Sequence, residues 1–89
     1  MLFIHLGENV VVQARDVVAI FDYEIAKGSE ETKEFLDYHQ RKDKLEIINS
    51  ELIKSIVLTT EEVYLSPLSS VTLKRRARIN QNFEKLLNR

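Results

Sequence analysis

Cysteine and tryptophan are absent from this 89-residue chain, which holds two glycines, one proline and one methionine. Without cysteine there are no disulfides, no thiolate metal sites and no thiol nucleophile. Gly7 and Gly28 are too few and too far apart to build a glycine-rich phosphate loop. The longest apolar run, Val17 to Phe21, is far short of the roughly 20 residues that cross a bilayer. The opening MLFIHLGEN carries no basic segment ahead of an apolar core, so a secretory signal is not expected. A soluble, cytoplasmic protein without a membrane partner is the resulting expectation.

Histidine is also scarce, with only His5 and His39. A metal site would have to recruit carboxylates from distant segments, so His5 is expected to be a packing or interface residue. Ser66, Ser69 and Ser70 cluster, but no motif places either histidine as their base. The sequence therefore predicts no enzyme, no metal and no cofactor. Tyr23, Tyr38 and Tyr64 read as half-buried sheet or helix residues in preference to base-stacking platforms.

What is present is 44% hydrophobic and 30% charged, the balance of a globular chain. The length suits one domain, residues 1–89. A domain of this size buries only about 60 to 65% of the surface its unfolded chain exposes, and chains with so thin a core often oligomerise. The net charge of -1 conceals a segregation. Residues 74–89 hold Lys74, Arg75, Arg76, Arg78, Lys85 and Arg89 against Glu84. The preceding residues hold seven bases and thirteen acids.

The hydrophobic pattern predicts an α+β domain, with an antiparallel or mixed sheet of about six short strands, one surface helix and one C-terminal helix. Strands are expected at 2–6 and 10–12, joined as a hairpin through Gly7-Glu8-Asn9, where Gly and Asn tolerate positive φ. VVAIFDY, 17–23, gives a third strand. Ser29 is the N-cap and Glu30 and Glu31 the first turn of a helix over about 30–42, with Phe35, Leu36, Tyr38 and His39 inward. Strands follow at 45–48, 52–59 and 63–66, with Asn49-Ser50-Glu51 turning the fourth directly into the fifth. Beyond Pro67, Ser69 or Ser70 caps a helix of about 69–87.

At 100° per residue, Lys74 and Arg78 share one side of that helix and Arg75 flanks them. Leu73, Ala77, Ile79, Phe83, Leu86 and Leu87 form an apolar stripe. Arg76 falls within the stripe's arc, where a guanidinium needs an acid, a phosphate or an exit to water. Two readings of this cluster are open: contacts to nucleic-acid phosphates, or a solvated helix whose stripe meets a neighbouring subunit. Arg15 is open in the same way, between a local contact with Asp16 and a phosphate contact.

FIHLGENVVV, ARDVVAIFD and KSIVLTTEEVYLSPLSSVTLKRRA together resemble the RemB branch of the extracellular matrix regulatory protein family of Firmicutes, from about Phe3 to Ala77. The resemblance implies a small bacterial DNA-binding transcription regulator of biofilm-matrix genes, whose subunits assemble into a ring and engage DNA around a basic outer surface. It implies a DNA-contacting role for Arg15. Two adjacent arginines that the RemA branch carries before the fifth strand align with Glu51 and Leu52, and only Lys54 keeps a nearby cation. The expected DNA-binding set is Arg15, Lys54, Lys74, Arg75, Arg76 and Arg78. The alternative is a non-enzymatic interaction protein that oligomerises with itself or with a RemA-type paralogue and does not hold DNA.

Overall fold

The computed structural model describes residues 2–87, and side chains as far as Arg78. It contains six strands in two sheets and three helices, an α+β architecture as the pattern predicts. β1 (Phe3–Gly7) and β2 (Val10–Gln13) pair antiparallel as a hairpin. A 3-10 turn over Ala14–Asp16 leads into β3 (Val17–Asp22). Then come α1 (Tyr23–Ala26), α2 (Glu30–Arg41), β4 (Leu45–Ile47), β5 (Ser55–Thr59), β6 (Val63–Ser66) and α3 (Ser70–Leu87).

The four later strands form one mixed sheet in the order β3-β5-β6-β4. Side chains alternate across it. Ile56 opposite Leu65, and Leu58 opposite Val63, point to one face; Val57 opposite Tyr64, and Ser55 opposite Ser66, point to the other. The second face carries the hairpin and α3. There Ile4, Leu6, Val12, Val57 and Leu73 make one buried cluster, with Ile20, Tyr64 and Ala77 packed around it. The first face carries α1 and α2, whose Tyr23, Ala26, Phe35 and Leu36 lie over Ile56, Val63 and Leu65. The molecule is thus three layers thick, with the sheet in the middle.

Three sequence expectations are corrected. β4 does not turn back into β5: it pairs parallel with β6, register Leu45 to Val63, and β6 separates it from β5. β5 begins at Ser55 and not at residue 52, because Leu52 N donates to Asn49 O and Lys54 N donates to Ser66 O outside the strand ladder. β3 stops at Asp22, whose carboxylate accepts from Ile25 N and caps the single turn of α1.

Ser29 caps α2 as expected, accepting from Thr32 N at 3.2 Å. Ser69 does the same for α3, accepting from Thr72 N at 3.1 Å. In the hairpin turn, positive φ falls on Gly7 (125°) and Glu8 (49°) and not on Asn9. At Gly7 a Cβ would sit 2.8 Å from Pro67 Cγ, so the turn admits no side chain there.

Two buried serines tie the layers together. Ser66 Oγ donates to Leu6 O across 60 residues and accepts from Leu68 N at 3.0 Å. Ser55 Oγ donates to Leu68 O at 2.8 Å. Both side chains are fully buried, so these bonds satisfy polar groups that water cannot reach.

Candidate nucleic-acid interface

Leu73 is fully buried and Ala77 packs against the same cluster, which fixes the rotation of α3. A 100° step per residue then places its cations. Arg76 goes to the flank above β1, Lys74 and Arg78 to the flank above β3, and Arg75 outward beside the exposed Val71. Arg76 finds a partner that no residue pattern announces: its Nη1 donates to the His5 backbone carbonyl at 3.0 Å. The guanidinium itself stays exposed, so the arginine clamps α3 to β1 while its remaining donors face water.

Lys74 and Arg78 line a groove of about 270 Å³ with Ala14, Val17, Val18, Ala19, Ile20 and Ala77. Arg15 follows Ala14 in the 3-10 turn at the end of this groove and is exposed. Of its two open readings, the local contact with Asp16 is not formed: the salt bridges among the described residues are Lys27–Glu24 and Lys33–Glu30. Asp16 instead uses its backbone carbonyl to accept from Thr60 N. Arg15, Lys74, Arg75 and Arg78 are therefore four exposed cations on one side of the molecule, none in an ion pair with another described residue.

Lys54 stands apart. It adjoins Ser55, which pairs with Asp22, whereas Arg15 lies beyond Val17, which pairs with Thr59. The length of β3 separates these ends by roughly 16 Å. Glu51 and Leu52, exposed near Lys54, form a turn in which Asn49 Oδ1 accepts from Glu51 N at 2.9 Å. The structure thus brings Arg15, Lys74, Arg75 and Arg78 to one region, gives Arg76 an internal partner and leaves Lys54 at the far end of the sheet.

The remaining polar candidates have structural roles. His5 Nε2 donates to Glu8 O within the hairpin, and His39 Nδ1 donates to Phe35 O at 2.9 Å within α2. Among the described residues no three of His, Cys, Asp and Glu are grouped to hold a metal, and no helix is long and apolar enough to cross a membrane. Tyr23 and Tyr64 are half-buried, while Tyr38 is exposed instead of turned inward. Burial, reinforced by Glu62 and Glu46, pushes the Tyr64 phenol above its ordinary pKa of 10.0. A hydrogen bond from the Ser29 hydroxyl holds the Glu31 carboxyl below the usual glutamate value. The expected stripe of Ile79, Phe83, Leu86 and Leu87 lies outside the described side chains.

Residues 3–77 match the family described as RemA-like, Extracellular matrix regulatory protein A-like. Extracellular matrix regulatory protein B of Bacillus subtilis (strain 168) is 46% identical over 78 residues, spanning 85% of this chain and 90% of that protein. The matched stretch takes in every element of the three layers from β1 to the first two turns of α3, and with it all six cations of the candidate interface except Arg78. With both matches running through most of the described fold, the chain belongs to the RemA-like family of extracellular matrix regulatory proteins, within its RemB branch.

Proposed function

We propose that this protein is a self-associating, non-enzymatic regulator of extracellular-matrix genes that works in the cytoplasm and holds DNA through its phosphates. The observation that carries the reading is the group Arg15, Lys74, Arg75 and Arg78, exposed together and without acidic partners among the described residues. A cation with no internal partner releases a condensed counterion from DNA when it meets a phosphate, and that release drives binding. Such contacts position a protein on the duplex without reading bases, so sequence preference comes from DNA shape and flexibility. One copy offers few contacts and carries a net charge of -1, so several copies acting together supply the affinity.

Gel retardation of matrix-promoter DNA over a salt series tests this. Retardation is expected at low salt and is lost steeply as salt rises, with Arg75→Ala lowering the slope of log affinity against log salt by about one. DNA that runs free of the assembled protein at the lowest salt refutes phosphate binding. It would favour the second reading, an interaction protein paired with itself or a RemA-type paralogue. That reading is supported by the acid and leucine exposed at Glu51 and Leu52, which repel a polyanion and suit a protein partner.

A further inference from the structure

The groove beside Lys74 and Arg78 has a second property that phosphate binding does not use. Val17, Val18, Ala19 and Ile20, which line it, are consecutive in β3. Successive side chains of a strand point to opposite faces, so a groove touching four in a row runs along the strand's edge. β3 is an outer strand of its sheet, paired with β5 alone. Among the described residues, no backbone hydrogen bond from another element reaches Val18, Ala19, Ile20 or Phe21. An outer strand with unpaired N–H and C=O groups is a template for one more strand. Val18 is skipped in the β3–β5 register and is 64% exposed at the entrance; Ala19 to Phe21 then run in register.

α3 forms the opposite wall. Lys74 and Arg78 stand one helical turn apart, a rise of about 6 Å along the axis. Residues on the same side of a strand, two positions apart, are separated by about 6.6 Å. Two acids at alternate positions of an added strand can therefore meet both cations. Ala77, which lines the groove beside them, is small enough to let a main chain approach the helix. Neither cation is in an ion pair with another described residue, and the exposed Arg15 adds positive charge at the groove's end. At the far end of β3 the Asp22 carboxylate caps α1, which marks where an incoming run of acids must stop.

We propose that this groove binds an extended acidic segment of another protein, which adds to β3 as a strand and sets acids at positions i and i+2 against Lys74 and Arg78. A second copy of the chain does not supply those charges: its other outer strand, β4, has three residues, and its Glu46 lies two positions from Lys44. DNA meets the same cations but has no main-chain amides to pair with β3. The segment and DNA therefore exclude each other, and the partner is a competitor that releases the regulator from DNA. That consequence, unlike the binding itself, rests on the phosphate reading above.

Fluorescence anisotropy of a labelled, end-capped decapeptide of alternating Glu and Val, titrated with the full chain, tests the contact. The decapeptide is expected to bind. The same peptide N-methylated along its main chain keeps its charge, loses its strand donors and is expected not to bind. Lys74→Ala combined with Arg78→Ala should raise Kd roughly tenfold at unchanged circular dichroism, whereas Lys33→Ala on α2 should leave it unmoved. Equal binding by the N-methylated peptide, or an affinity indifferent to the double substitution, overturns the proposal. No binding overturns it as well, and a mass above one copy in the same sample then gives the edge to a second copy. In a gel, excess decapeptide is expected to free retarded DNA. DNA that stays retarded by peptide-saturated protein removes the competition, while peptide binding without retardation at the lowest salt defeats only the phosphate reading.

Discussion

The two sides of the central sheet differ in how firmly they are covered. On the hairpin side, Ile4, Leu6, Val57 and Leu73 are at most 1% exposed, and two buried hydroxyls and the Arg76 clamp bridge the layers. On the other side neither α1 nor α2 contributes a buried residue, although Phe35 and Leu36 pack on the sheet. The cations of α3 lie over the firm side and most of the acids of α1 and α2 over the loose one. In a domain this small, apolar material cannot close both sides equally. Stability is concentrated where α3 must be held in one orientation, and the half-covered side keeps apolar surface in contact with solvent, Phe21 among it.

Removing one apolar side chain from each side should expose the difference most strongly. Leu73→Ala should cost about 2–5 kcal/mol, because it empties a fully closed site. Phe35→Ala, at a half-buried position beside an open trough, should cost clearly less in the same urea titration. Equal losses would mean that the two sides are equally consolidated and that the comparison is wrong. Next in size is Ser66→Ala, which strands Leu6 O and Leu68 N; a loss of about 1–3 kcal/mol is expected. A variant as stable as the parent would show that the hydroxyl does not bridge the layers.

The smallest effect concerns pH. The Tyr64 phenol titrates above 10.0 in the folded protein, chiefly through burial, so the folded state holds its proton more tightly than the unfolded chain does. Its contribution is complete below pH 10 and is lost as pH rises through the raised folded value. Melting temperatures measured from pH 9 upward should therefore fall less steeply in Tyr64→Phe than in the parent. Parallel curves would remove Tyr64 from the account.

Much of the fold was legible because local signals agreed with tertiary packing. The alternation of Leu2 to Leu6, the Gly7 turn and the β-branched Val10 to Val12 predict the hairpin, and Ser29 ahead of Glu30 and Glu31 marks the start of α2. The strand order was not legible. Asn49-Ser50-Glu51 has the residues of a tight turn between neighbouring strands, yet the chain there crosses over β6, and only long-range pairing decides between those outcomes. The one-turn α1 was hidden because VVAIFDY reads as a single β run and Asp22 acts as a cap only once the chain bends.

The candidate interface shows the same division. The spacing of Lys74, Arg75 and Arg78 places them correctly around α3, since helical periodicity needs no tertiary information. That Arg15 joins them and Lys54 does not depends on which end of β3 meets α3, a matter of topology. Arg76 falls within the arc of the apolar stripe, where the sequence shows no partner for it. Its partner is a main-chain carbonyl, which every residue possesses and which therefore leaves no trace in side-chain patterns.

The bond from Ser66 to Leu6 has a consequence for how the chain is made. These residues are 60 positions apart, and β1 cannot be fastened until β6 exists. At about 5–20 residues per second of synthesis, the first strand waits on the order of 3–12 seconds for that partner. During this interval Ile4, Leu6 and Val12 have no cover from Leu73, which lies later still in the chain. A nascent hairpin in that state is a target for chaperones and a seed for aggregation, and the rate at which translation delivers the last strand and helix governs how long the hazard lasts.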